Sequence, residues 1–153
     1  MTLNLLCYKS KKLKSKLLYM HVVVKPSPIA TRKYRVLLPN KKTFDVGSLD
    51  SPDYTDHKNP HIMRAHLLRR GAQISREVQI ETDLYEIHKG MLYAVTSTEE
   101  SWEDPFRVGF WERWLLWSYP NVNQAKLWMA MQKNIRFMPA EEMMWYCDED
   151  ENF

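Results

Sequence analysis

The chain has 153 residues, a net charge of +3, 44% apolar residues and 12% aromatic ones. That is enough apolar material for one ordinary core, and the length sets one domain as the prior. Cys7 and Cys147 lie far apart with no CxxC spacing, and the five histidines never form HxxxH with an acid between, so neither a disulfide framework nor a zinc site is expected.

The first 20 residues hold five lysines, Lys9, Lys11, Lys12, Lys14 and Lys16, and no acid. The longest apolar run, residues 17–24, is eight residues long and includes His21, too short for a membrane span. No small-residue cleavage site follows it, so no signal peptide is expected. Residues 17–25 are β-branched and read as a strand, ended by Pro26 and Pro28. In residues 32–48, Tyr34, Val36 and Leu38 share one face, Pro39 and Asn40 supply a reversal, and Phe44 and Val46 share a face on the return. That pattern predicts a β-hairpin. Residues 49–60 are a polar loop. Asn59 and Pro60 then suit the N-cap and first position of a helix over 60–70, which Gly71 ends.

Residues 76–98 alternate at Val78, Ile80, Leu84 (after a shift), Ile87, Leu92 and Ala94, with His88 to Gly90 as a reversal; this predicts a second hairpin. A further helix is expected to begin with Asp104 as cap and Pro105 at its first position. It would run through Phe106, Phe110, Trp114 and Trp117, spaced 4, 4 and 3. Such a helix is apolar over most of its girth, which requires burial on several sides. Phe110, Trp114 and Trp117 are expected in the core, with Trp111 and Leu115 meeting the last helix or a partner. Arg113 is expected to pair with Asp104 or Glu103. The last helix would start at Asn121 or Asn123 and bury Trp128. Beyond Pro139, six acids and no base frame the apolar Met144, Trp145 and Tyr146.

The expected fold is therefore α+β, two β-hairpins packed against about three helices, with extended charged termini. Its parts are a basic arm with a strand (1–28), a compact domain (29–138) and an acidic tail (139–153).

Two stretches resemble a small family encoded by nucleocytoplasmic large DNA viruses. "DYTDHKNPHIMRAHLLRR" (53–70) is similar to that family's "DYTxHKDPxRKxxYLxRH". "ESWEDPFRVGFWERWLLWSYPNVNQA" (100–125) is similar to its "ExWxDPxTAGFWSRWLLWxKPTLxxS". Asp53, Tyr54 and His57 coincide in the first, and Trp102, Asp104 and Arg113 in the second. Asn59 replaces an Asp, Ile62 and Met63 replace a basic pair, His66 stands for Tyr and Arg70 for His. Residues 71–99 separate phrases that the family joins closely. The resemblance covers roughly residues 34–70 and 100–128. It implies a virion component assembled in the host cytoplasm, and by extension a minor capsid protein whose partners are the major capsid protein and neighbouring minor capsid proteins. It carries over no catalytic residue.

From the residues themselves, Asp53, Asp56 and His57 lie close enough in sequence for acid–base work. Yet no nucleophile elbow, phosphate-binding glycine loop or metal spacing accompanies them. No catalysis, cofactor or metal is expected. A protein-interaction role fits the aromatic and Met content, with Lys9, Lys11, Lys12, Lys14, Lys16, Trp111, Met144, Trp145 and Tyr146 as the candidate partner-binding residues. The alternative is nucleic-acid binding by the basic arm and the basic helix, through phosphate contacts.

Overall fold

The computed structural model describes residues 19–139. Lys9, Lys11, Lys12, Lys14, Lys16, Met144, Trp145 and Tyr146 lie outside them, as does most of the expected tail. The described residues form a four-stranded mixed sheet and six helices, so the α+β class holds. The chain divides into two compact units. One is the continuous segment 46–127; the other joins residues up to 45 with those from 128 onward.

The sheet order is β3-β2-β1-β4, with β1 at Met20–Pro26, β2 at Arg32–Leu37, β3 at Thr43–Ser48 and β4 at Ile135–Phe137. The expected 32–48 hairpin is β2–β3. Its turn is closed by Lys41 N–H to Leu38 O and Leu38 N–H to Lys42 O, with Lys41 in the left-handed region. β1 pairs antiparallel with β2, Val24 facing Val36, and parallel with β4, Met20 facing Ile135. A central strand covered on both faces carries a continuous apolar run rather than alternation, and Val22 and Val23 are both buried. Across β2 and β3, Arg35 grips Asp45 with Nε and Nη2 at 3.0 Å each, while Ser27 Oγ donates to the same carboxylate. A two-pronged pair of this kind fixes register. It also holds the Asp45 carboxyl below its ordinary range, chiefly through the Arg35 hydrogen bonds.

The segment 46–127 begins with a one-turn helix α1, Tyr54–His57, followed by α2, Pro60–Arg69. Asn59 caps α2 by accepting from His61 N–H, and Pro60 takes the first position, as the sequence predicts. Pro60, Met63 and Leu67 form its buried stripe. Gly71 follows the helix with φ +89°, and a Cβ there would lie 2.5 Å from Thr98 Oγ1 and 3.0 Å from Thr98 N. Both the dihedral and the close approach demand glycine. Gly71→Ala is expected to lower stability by about 1–3 kcal/mol, read as a shifted urea midpoint with unchanged slope.

Residues 76–98 overturn the second hairpin. They form α3, Arg76–Ile80, and α4, Leu84–Met91. Ser75 and Asp83 act as N-caps, accepting from Val78 N–H and Glu86 N–H. Gly90 is a packing glycine inside α4, not a turn: a Cβ would sit 2.9 Å from Val78 Cγ2. Arg64 of α2 donates to Val78 O and Glu81 O and so satisfies the open end of α3.

The next helix starts later than expected. Asp104 organises a turn, accepting from Phe106 N–H and Arg107 N–H, and Phe106 is exposed. Helix α5 is Val108–Trp111 and runs directly into a π-helical turn, Glu112–Leu116. Apart from Glu112, residues 109–118 are all buried. Trp111 and Leu115 are fully buried within the chain, so the expectation that they face a partner is corrected: both are core. The last helix, α6, is Val122–Gln132, capped by Asn121. It buries Ala125 and Met129, and Trp128 is half-buried. No described helix is long and apolar enough to cross a membrane.

Candidate functional site

The two motif phrases meet in a cluster of three imidazoles and three larger aromatic rings. α1 supplies Tyr54 and His57, α2 supplies His66, α4 supplies His88, and the stretch after the π turn supplies Trp117 and Tyr119. His66 stacks flat on Trp117, with centroids 3.7 Å apart and planes within 5°. His57 leans toward Trp117 at 5.6 Å. The Tyr54 hydroxyl is 2.9 Å from His88 Nδ1, and His88 meets Tyr119 edge-on at 4.8 Å.

The loop that reads as a possible acid–base pair is occupied by helix capping. Asp53 accepts from Thr55 N–H and from the Thr55 hydroxyl, while Asp56 reaches back to Asp53 N–H. Together they make a reciprocal cap. Lys58 takes the left-handed conformation that ends α1, and its ammonium donates to Thr55 O at 3.1 Å and Pro120 O at 2.7 Å. His57 Nδ1 accepts Asn59 N–H at 3.0 Å. A backbone amide can only donate, so Nδ1 is unprotonated and the neutral ring carries its proton on Nε2. Nε2 is buried with no hydrogen-bond partner among the described residues.

Burial pushes all three imidazoles toward the neutral form. His66 is pushed down to about 4 by desolvation, helped by Arg70 and Arg69. His88 is lowered by desolvation and then by Arg113. His57 is lowered by desolvation, opposed by Asp53 and Asp56. Desolvation also raises Tyr54 to about 12, so its hydroxyl keeps its proton at neutral pH.

Behind the cluster sits Arg113, 2% exposed. The expected pairing with Asp104 or Glu103 does not occur: the Asp104 carboxylate has Arg107 3.8 Å away, and Arg113 has no carboxylate partner among the described residues. Its fork instead donates to Met91 O at 2.6 Å, Trp117 O at 2.7 Å and Ala94 O at 3.2 Å. These carbonyls lie at or just past the ends of α4 and the π turn, where the helix dipole is negative. The guanidinium also lies 4.1 Å from the Trp114 ring centre and 5.3 Å from that of Trp102. Burial pushes it down to about 9, so it remains a cation at pH 7. Trp102 donates to Glu100, Trp114 to Trp102 O and Trp111 to Pro105 O, giving these three indole N–H groups an acceptor.

Of the residues singled out in the sequence, Phe110, Trp114 and Trp117 are buried, and Asp53, Tyr54, His57, Trp102 and Arg113 frame the cluster. His66, His88 and Tyr119 carry no motif-level signal for the role they play. Among the described residues no group of His, Cys, Asp and Glu is arranged to hold a metal ion.

Residues 22–70 match the model of a family described as Family of unknown function (DUF5754). That match spans β1 to α2, under half of the chain, and takes in the first phrase but not the second. Neither the curated proteins nor the solved structures gave a match.

Proposed function

We propose that this protein is a structural component of a large icosahedral DNA virus particle, a minor capsid protein that bridges coat subunits. The observation that carries the reading is how the two motif phrases are used. Every polar side chain of Asp53, Asp56, Lys58 and Arg113 is committed to a helix end, and the indoles of the second phrase form a core. Phrases spent in this way specify a rigid body rather than a reacting centre. Apolar side chains left outside that body supply contact area: Tyr93 is 83% exposed, Tyr85 65% and Ile80 59%. Exposed aromatics of this kind suit protein contacts, and the lysines at 9–16 and acids at 141–151 add charge of opposite sign.

The test is cross-linking mass spectrometry on purified particles. Cross-links from Lys9–Lys16 to coat subunits are expected. Absence of the chain from particles, or cross-links to itself alone, would overturn the reading. Duplex binding that weakens steeply with salt and is lost with the basic arm would favour the nucleic-acid alternative.

A further inference from the structure

The histidine cluster has a property that a merely structural aromatic core does not need. Three imidazoles from three helices converge on Tyr54, Trp117 and Tyr119, and the neutral state of one of them is fixed by a backbone bond. That bond, Asn59 N–H to His57 Nδ1, sits at the residue that caps α2. We infer that the cluster is an acid-operated latch on the α1–α2 junction: a proton taken up by His57 ejects the Asn59 amide and frees α2 from Trp117.

A solvent proton binds the Nδ1 lone pair, the Asn59 N–H···Nδ1 hydrogen bond is lost, and no covalent bond of the chain changes. With both nitrogens protonated, the ring presents N–H to N–H at Asn59 and a buried, unpartnered N–H at Nε2. The cation cannot keep the neutral ring's place and must turn out to reach water. Asn59 then loses the geometry by which its side chain caps His61 N–H. α2 carries His66, which stacks on the same Trp117 ring that His57 leans toward.

The surrounding charges act differently on the three imidazoles. Asp53 and Asp56 face His57 from α1 and favour its protonation. Arg69 and Arg70 on α2 oppose charge on His66, although Glu100 pairs with Arg70 at 3.5 Å. Arg113 opposes charge on His88, and Lys58 adds a further positive charge beside His57. The Trp117 face favours a cation on His66, but burial and the two arginines outweigh it. Asp53 and Asp56 therefore ease protonation of His57, and its charge then adds to those acting on His66.

The folded state binds protons on these imidazoles more weakly than the unfolded chain, whose ordinary value is 6.5. Stability is complete above about pH 6.5 and is lost as pH falls through the depressed folded values. Each coupled proton raises the unfolding constant by up to about tenfold per pH unit.

The experiment uses the full chain between pH 7.5 and 5.5, above the range where carboxylates titrate. Urea unfolding is followed by tryptophan fluorescence, and Asn59 amide exchange and the His57 ring signals by NMR. His57→Asn keeps an acceptor at the Nδ1 position but cannot titrate; His66→Phe keeps the stack on Trp117. The wild type is expected to lose Asn59 protection as His57 protonates. His66→Phe, which removes the most depressed imidazole, should flatten the pH dependence of stability by about one proton, and His57→Asn by less, but only His57→Asn should keep the Asn59 amide protected down to pH 5.5. A pH-independent wild type, an Asn59 amide that stays protected while His57 titrates, or an unaltered slope in His57→Asn would overturn the latch. If His57→Asn does not fold, the wild-type NMR titration decides alone.

Discussion

Arg113→Ala should cost about 2–5 kcal/mol, the scale at which two buried carbonyls lose their donor. Two effects compete. Removing the cation relieves its desolvation, which is large enough to push the group down to about 9. It also strips Met91 O, Ala94 O and Trp117 O of a shared, buried donor. Met91 O keeps the Ala94 N–H at 3.0 Å, but a buried carbonyl without a partner costs about 1–3 kcal/mol, and two of them, Ala94 O and Trp117 O, outweigh the relief. Arg113→Met tests this by filling the volume while leaving Ala94 O and Trp117 O bare, and should recover about half the loss. Arg113→Lys keeps the charge but has no planar fork to span three acceptors or to lie on Trp114, so it should fall between. Urea midpoints at pH 7 check the series. A fully stable Arg113→Met would show that the carbonyls find other donors.

The other large effect is expected at Trp114. Trp114→Ala removes a fully buried indole from between Arg113 and the Trp102 backbone. Aromatic-to-alanine changes in a core cost about 3–5 kcal/mol, much of the 5–15 kcal/mol available to a domain. Little folded protein should survive at 37 °C. Trp114→Phe separates the terms. It keeps most of the apolar volume but leaves Trp102 O without its donor, so about 2 kcal/mol is expected. The double variant with Arg113→Met should be less than additive, because the guanidinium and the ring brace one another. Calorimetry of both singles and the double measures that coupling; strict additivity would refute it.

Some of this was legible in the residues. Alternation at Tyr34, Val36 and Leu38 with a turn at Pro39 and Asn40 marks β2–β3, and the Asn59-Pro60 and Gly71 pair brackets α2. Where the reading failed, a signal of one kind was taken for another. Val78 and Ile80 alternate, yet Ser75 and Asp83 are helix caps, and Asp83 with Glu86 three residues on is an N-terminal signature. Gly90 reads as a turn until Val78 is seen packed against it. β4 is three residues long and exists only through its pairing with β1, so no local pattern could announce it. The acceptors of Arg113 are main-chain carbonyls, which have no letter in the sequence. The histidine cluster is hidden for a related reason: His57, His66 and His88 become neighbours only once α1, α2 and α4 are packed.

The parallel pairing of β1 with β4 bears on how the chain reaches its native state. Met20 and Ile135 are about 115 residues apart in sequence, and a parallel pair has no hairpin to shorten the search. The segment 46–127 is continuous and can close on contacts from within its own stretch. During synthesis it is complete before β4 has emerged from the ribosome, while β1 waits with one edge unpaired. Sheet completion is therefore the slow, late event of folding, and that waiting edge is where newly made chains are most prone to pair with one another.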